Sequence, residues 1–264
     1  MNIQAAGGIK VRVLLTNDDG IFAEGLRALA GCFHTVMETY IVAPDHEQSA
    51  TGHAITMHRP LRAEPVKMPL TPEVPAWYVN GTPADCVKLA VESLLPGKPD
   101  MVVSGINRGA NLGTDVLYSG TVSAAIEGVI LGVPAIAVSL TEPNEPFYDY
   151  AAEFICRLAA VLLQKGISSD TLLNINVPGC LPENMRGVAI TRLGVRQYKN
   201  AFESRKDPRG RTYYWLAGEL IDTVDGDDTD VSAIKSRKIS VTPIHYDLTN
   251  YGLISELKKW NIEL

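Results

Sequence analysis

The sequence predicts an α/β fold: a Rossmann-like, doubly wound, mostly parallel sheet with helices on both faces. Two patterns predict it. Short apolar runs alternate with longer runs whose apolar residues recur at helical spacing. That alternation implies strands joined by crossover helices, hence a parallel sheet. The chain has 264 residues, 46% of them hydrophobic, which is ample for one large core with an appendage.

Taken in order, VRVLL (11–15) reads as a buried strand. It is followed by a helix in IFAEGLRALAGCF, where Leu26, Leu29, Ala30 and Phe33 share a face. TYIVAP (39–44) is a second strand and WYVN (77–80) a third. The stretch GTPADCVKLAVESLL reads as a helix. Thr82 is its N-cap, Pro83 suits the first helical position, and Asp85 stands three residues after the cap. MVVSGI (101–106) and AIAVSL (135–140) are strands on either side of a helix, TVSAAIEGVILG, stopped by Gly132. A helix in FYDYAAEFICRLAAVLLQKG and a strand in LLNINVP follow.

The pattern then changes. VAITRLG and RTYYWLAGEL read as strands of a long hairpin, separated by the charged stretch NAFESRKDPRGR. The acidic run VDGDDTD (224–230) is expected to be a solvated turn capping a short helix, VSAIK. KISVTPI is a last strand and LISELKKW a terminal helix. The organisation expected is a core over 1–194 and a C-terminal segment over 195–264 holding the hairpin, a returning strand and a tail helix. No internal repeat and no low-complexity linker is seen.

Net charge is −6 at neutral pH, which argues against a protein that coats nucleic-acid backbones. Cys32, Cys86, Cys156 and Cys180 are scattered and form no C-x-x-C pair. They are expected to be reduced thiols in a cytoplasmic protein. MNIQAAGGIK (1–10) lacks the apolar centre of a signal peptide. The longest apolar run, 128–140, contains Pro134 and is too short to span a membrane. Neither nucleic acid nor membrane is expected as a partner.

Ligands of such sheets bind beyond the carboxyl ends of the strands, so the loops TNDDG, APDHEQSATGHA, NGTP and SGINRGANLG carry the functional candidates. In TNDDG two carboxylates, Asp18 and Asp19, stand side by side. A phosphoaspartate route requires a nucleophile two residues before the second acid, where Asn17 stands. An EF-hand loop requires an acid at Leu15. Two readings stay open on these residues alone: a divalent-metal site, whose cation would cancel the repulsion, and a turn. The glycines at 105, 109, 113 and 120, with Asn107 and Asn111 between them, match neither a Walker loop nor G-x-G-x-x-G. Ser119, Gly120 and Thr121 open a helix, a ready anion site suited to phosphate. Acids at one loop, small polar ligands at another and a helix N-terminus together point to metal-assisted phosphoryl chemistry.

TNDDGIFAEGL, VAPDHEQSATGHAIT, NGTPADCV, VSGINRGANLGTDVLYSGTVSAAIEG and ISVTPIHYDLT together resemble the survival protein E (SurE) family of metal-dependent 5′/3′-nucleotidases, across nearly the whole chain and in the family's order. The resemblance implies one divalent cation per subunit, magnesium or manganese. Its ligands would be Asp18, Asp19, Ser49 and Asn107, with Asp18 and Asp19 also catalytic. It implies phosphate or substrate contacts from the loop containing Gly105 and from Ser119, Gly120 and Thr121, with Asn17 and Asn111 as further candidates. Substrates implied are nucleoside 5′- and 3′-monophosphates and, in some members, short polyphosphate. The late change in pattern fits an arm exchanged between subunits of a homodimer or homotetramer.

Other residues divide between a role and a bland alternative. His46 and His53 flank Ser49, as phosphate contacts or as surface histidines. Asp115 is a candidate for orienting the glycine loop. Tyr118, Tyr213, Tyr214 and Trp215 are candidates for stacking on a base or for packing in an interface. His245 is expected to be structural. The competing reading is a nucleotide-binding stress-response regulator without turnover.

Overall fold

A computed structural model describes residues 11–141, 147–199, 202–222, 226–260 and 262. The leader expectation on residues 1–10 lies outside these, as does part of the acidic run. In chain order the first half comprises β1 (Arg12–Thr16), α1 (Glu24–Phe33), β2 (Glu38–Pro44), β3 (Ala63–Val66), β4 (Ala76–Val79), α2 (Pro83–Leu89), β5 (Met101–Arg108) and α3 (Gly120–Ile130). There follow β6 (Ala135–Leu140), α4 (Tyr148–Lys165), β7 (Thr171–Val177), β8 (Val188–Ile190), β9 (Arg196–Lys199), β10 (Phe202–Lys206), β11 (Thr212–Leu216) and β12 (Glu219–Asp222). The last three elements are α5 (Asp230–Lys235), β13 (Ile239–His245) and α6 (Tyr251–Leu257).

Nine strands form the main sheet in the order β3-β4-β2-β1-β5-β6-β7-β13-β8. The run from β4 to β7 is parallel throughout, as the alternation of strands and helices requires. Alternate residues of β1 face opposite layers. Val13 and Leu15 pack with Leu26, Leu29 and Phe33 of α1 and Ile155 of α4. Leu14 packs with Val87 of α2 and Val122 and Ala125 of α3. Helices therefore cover both faces, and the central strands are apolar on both. The start of α2 is fixed as its sequence indicates: Asp85 N–H donates to Thr82 Oγ1 at 3.1 Å, and Thr82 N–H donates to the Asp85 carboxylate at 2.9 Å.

Two local expectations are corrected. The hairpin exists, but its strands are not where apolar content pointed. Val188–Ile190 joins the main sheet beside β13, while the charged stretch itself forms β10, paired antiparallel with β11. β9 pairs with β12 at the base of the same ladder. A ribbon exposed on both faces needs no alternation of apolar and polar residues, so that signal is silent. The proline-rich stretch after residue 62 contains an edge strand, β3, antiparallel to β4 with Pro65 opposite Trp77; proline is tolerated at a sheet edge. In the acidic run, Thr229 does cap α5, accepting from Ser232 N–H at 3.2 Å. Asp230, however, is wholly buried. Its carboxylate accepts from the N–H groups of Gly113, Gly194 and Val231 at 2.7, 2.8 and 2.8 Å.

Candidate metal and phosphate site

From β1 the chain builds outward to β2 and β4, then crosses back to place β5 on β1's other side. The carboxyl ends of β1 and β5 thus border the crevice where strand order reverses, the position at which open α/β sheets bind ligands. Three loops meet there: residues 17–20 after β1, 45–56 after β2, and the segment from the end of β5 to the start of α3.

Asp18 is buried, with 6% of its surface exposed. Thr121 Oγ1 donates to Asp18 Oδ1 at 2.5 Å, seating the carboxylate on the first turn of α3. The fit depends on Gly120, since a Cβ there would stand 2.8 Å from both Cβ and Oδ2 of Asp18. Ser119 caps the helix, its Oγ accepting from Val122 N–H at 3.1 Å. The N-terminal dipole of α3 favours an anion at this point. Burial nevertheless pushes the Asp18 carboxyl above its ordinary range, opposed in part by Thr121's hydrogen bonds.

Asp19 is half-buried beside it. Its carboxyl is pushed up to about 6, first by burial and then by the charge of Asp18, while a hydrogen bond from Arg108 N–H acts the other way. That bond, 3.3 Å to Oδ2, brings the end of β5 to the acid pair. Asn107 Nδ2 donates to Gly109 O at 2.9 Å, which leaves the amide oxygen as its ligating end. β5 carries a bulge against β6 between Ser104 and Asn107. Gly105 stands in it at φ +138°, where a Cβ would lie 2.3 Å from Val138 O. Such bulges re-aim the residues that follow. Asn17 Nδ2 donates to Gly20 O at 2.9 Å, and its Oδ1 is buried without a hydrogen-bond partner.

The loop bearing Ser49 is tied to the other two. Gln48 N–H donates to Asp18 O at 2.8 Å and Gly52 N–H to Tyr118 O at 3.1 Å. Ser49 Oγ donates to the Glu47 carboxylate, whose charge reaches both aspartates and raises them. His53 Nε2 pairs with Glu127 of α3 at 2.9 Å, and Lys88 of α2 lies 3.6 Å from the same carboxylate. His46 bonds Asp45 and Gln48 through its two ring nitrogens. Both histidines are therefore engaged within the protein.

Asn111 lies one layer deeper. Its Nδ2 donates to Ser139 Oγ at 2.7 Å, and its carbonyl accepts from Asn174 and Asn176 of β7 at 2.9 and 3.0 Å. In this geometry it anchors the glycine loop. Asp115 accepts from Arg196 Nη1 at 2.7 Å and Tyr198 OH at 2.8 Å, linking that loop to the base of the hairpin. Tyr118 is exposed beside the Ser49 loop, whereas Tyr213, Tyr214 and Trp215 lie on β11 of the hairpin. His245 ends β13.

Sequence reasoning passed over Glu47, Glu127, Asn174 and Asn176. Glu47 was readable as a third acid two residues from Ser49. The two asparagines alternate in the apolar strand LLNINVP, a polar row on one face of a buried strand.

The residues present fit a hard divalent cation. Two adjacent carboxylates are buried or half-buried, the charge of Glu47 reaches both, and the neighbouring loops carry neutral oxygens at Asn107 and Ser49. Among the described residues no group of three or more His, Cys, Asp or Glu forms a metal set, so the two acids require neutral oxygens to complete one.

A family model described as survival protein SurE matches residues 13–200. The chain is 56% identical over 250 residues to a 5′-nucleotidase SurE of Heliobacterium modesticaldum, covering 95% of this chain and 92% of that one. It is 55% identical over 256 residues to a 5′-nucleotidase SurE of Carboxydothermus hydrogenoformans, covering 95% and 96%. Among solved structures it is similar to a SurE protein from Aquifex aeolicus, with a TM-score of 0.82, 38% identity, and coverage of 95% of this chain and 100% of that one.

Proposed function

The chain belongs to the survival protein SurE family, and from that premise we propose that it is a metal-dependent nucleotidase, a hydrolase removing phosphate from nucleoside 5′- and 3′-monophosphates. The observation that carries the reading is the meeting of acids and anion site at Thr121, whose side chain holds Asp18 at the first turn of α3. A cation site and a phosphate site would then share one wall of the crevice.

Asp18, Asp19, the Ser49 hydroxyl and the Asn107 amide oxygen would hold one divalent cation, magnesium or manganese. When bound, it supplies Lewis acidity toward a phosphate oxygen and toward the attacking water. The Gly120 N–H at the start of α3 binds a phosphate oxygen, positioned before reaction for the charge that grows on it, while the Thr121 N–H and hydroxyl hold Asp18 beside it. Ser119 caps the first turn of α3, and Gly105 and Asn17 are further candidates for contact with the substrate. Asn111 holds the loop from beneath. Asp19 Oδ1, the oxygen not bonded to Arg108, orients the water for in-line attack.

Residues 1–194, with β13 returned into their sheet, would form the catalytic core, and the hairpin and tail helix of 195–264 an arm that joins subunits into a homodimer or homotetramer. Supporting this, Phe202, Tyr214, Trp215 and Leu216 are exposed on the hairpin, and Leu248, Tyr251 and Trp260 on the tail. Among the described residues no helix is long and apolar enough to cross a membrane. Four free cysteines support a cytoplasmic location.

The test is release of inorganic phosphate from AMP and GMP, and from short polyphosphate, with manganese or magnesium and with chelator. Chelator-sensitive release from a nucleotide is expected; none from any nucleotide would defeat the reading. Asp19→Asn should lose both activity and metal affinity. Retention of both would show the ligand assignment to be wrong.

A further inference from the structure

Two asparagines of β7, Asn174 and Asn176, have no exposed surface. β7 lies between β6 and β13 in the sheet, where apolar side chains are expected, and a buried amide is costly unless it is paired. Both are paired to one residue of the glycine loop. Asn176 Oδ1 accepts from Asn111 N–H at 2.9 Å, and Asn176 Nδ2 donates to Asn111 O at 3.0 Å. Asn174 Nδ2 donates to the same carbonyl at 2.9 Å. An asparagine side chain ends in an amide, so it offers an acceptor and a donor side by side. Asn176 thus pairs with the Asn111 backbone much as a neighbouring strand would, although Asn111 lies in a loop.

The place of this clamp ties it to the acid pair. Asn107, Ser139 and Asn176 are partners in register across β5, β6 and β7. The Asn111 side chain donates to Ser139 Oγ at 2.7 Å, the residue beside Asn107 in that row. Between Asn107 and Asn111 stands Gly109 at φ +111°, and Gly113 follows at φ +53°. Glycines give such a loop little stiffness of its own, so its course is fixed from outside.

We propose that Asn176 is a positioning residue for the metal centre, holding the glycine loop by the Asn111 backbone so that Asn107 presents its amide oxygen to the cation beside Asp18 and Asp19. The proposal rests on the ligand set given above. Asn176 touches neither cation nor substrate; it acts through Asn111 and Ser139, and Asn174 supports the same carbonyl. A leucine at 176 would fill similar space and suit a buried strand. It would leave the Asn111 N–H without this acceptor and the Asn111 carbonyl with one donor fewer.

The test compares full-length wild type, Asn176→Leu and Ser240→Ala. Ser240 is the control. It is wholly buried and in register with Asn176, but its hydroxyl bonds Thr191 Oγ1 at 2.9 Å rather than the loop. Mn²⁺ titration followed by EPR gives both the number of sites and their affinity. Asn176→Leu should weaken the affinity by about tenfold, the worth of one lost hydrogen bond, with the number of sites kept. Ser240→Ala should match wild type. A residue that only stabilised the fold would lower the number of sites and leave their affinity unchanged. Hydrogen exchange over 109–113, read by mass spectrometry, should be slow in wild type and faster in Asn176→Leu, with β1 unchanged. At saturating Mn²⁺, kcat for AMP should fall by more than about tenfold. KM should move by less than about threefold, because the first turn of α3 is untouched.

Unchanged Mn²⁺ affinity in Asn176→Leu, or an equal loss in Ser240→Ala, would overturn the proposal. If Asn176→Leu fails to fold, the wild type decides: slow exchange over 109–113 supports the clamp, and exchange as fast as in the exposed hairpin overturns it. A wild type that binds Mn²⁺ but releases no phosphate from any nucleotide would defeat the nucleotidase reading alone, since affinity and exchange need no turnover.

Discussion

Gly120→Ala should separate the stability of this protein from its activity. Gly120 is the first residue of α3, and its Cα faces Asp18. A methyl group added there meets Asp18 Cβ and Oδ2 at 2.8 Å, where ordinary contact begins at 3.4 Å. Relief requires the carboxylate or the helix end to move by more than about half an ångström. Overpacking of this kind costs about 1–3 kcal/mol, and alanine in place of glycine returns up to about 1 kcal/mol in a helix. The net loss of stability is therefore modest, roughly 0–3 kcal/mol. Activity should respond far more, because misplacing a reacting group by about 1 Å costs on the order of a hundredfold. The assay is kcat/KM for AMP under saturating manganese, beside urea denaturation of the same preparation. Gly31→Ala is the control: nothing lies within 4 Å of its Cβ position, so it should stabilise slightly and leave kcat/KM unchanged. A Gly120→Ala enzyme with wild-type kcat/KM would refute the reasoning, since the fit of Asp18 against α3 would then not matter to catalysis.

Three further outcomes follow from other contacts. In chelator, Asp19→Asn should stabilise the protein at neutral pH. The carboxyl rises from 3.8 to about 6 on folding, so the folded state binds more protons between those values and metal-free stability falls as pH rises through that window. The shift is worth at most about 3 kcal/mol, and about 1–2 kcal/mol after solvent screening. The Tm gain over wild type should shrink toward pH 4 and reverse when the metal is restored. His53→Ala should raise the manganese concentration needed for half-maximal activity by roughly tenfold, with the maximal rate less affected, because the 2.9 Å pair with Glu127 ties the Ser49 loop to α3; metal titration of the rate checks it. Asp230→Asn should cost about 2–4 kcal/mol in urea unfolding, since an amide presents a donor to at least one of three backbone N–H groups that the carboxylate now accepts.

The parts of this fold legible in the sequence are those where burial dictates residue type. β1, β5, β6 and β7 are buried along nearly their whole length, so they appear as apolar runs. Thr82, Pro83 and Asp85 announce a helix start because capping is local chemistry. The pairing of Asp18 with Thr121 joins residues 103 apart, and no local pattern encodes it. Ser49 was reached through family resemblance alone, since a serine in a polar loop has no distinguishing periodicity. The hairpin strands and Asp230 were misread for opposite reasons. The hairpin is exposed on both faces, so charge there did not exclude a strand. Asp230 closes an acidic run that looks solvated, yet its partners come from Gly113 and Gly194, which only the fold brings together.

The glycines bordering the crevice divide, in three dimensions, into different jobs. Gly105 allows β5 to bulge at positive φ with its Cα against Val138 O. Gly120 lets Asp18 lie on α3, and Gly25 lets α1 close over Ile106 O. Each removes a side chain so that two elements bordering the crevice can touch. Gly109, by contrast, has open space around its Cβ position at φ +111°, so its requirement is conformational. The spacing of glycines in SGINRGANLG is thus set mainly by packing around the site, which is why it matches no standard phosphate-loop pattern. Under the proposed function the anion site is supplied instead by α3, and the end of β5 contributes by bringing the Arg108 N–H to Asp19. It follows that alanine at Gly105 or Gly25 should be harsher on folding than at Gly120, because the atom met is a backbone carbonyl at 2.3 or 2.0 Å rather than a side chain, and a carbonyl fixed in a central strand has nowhere to move.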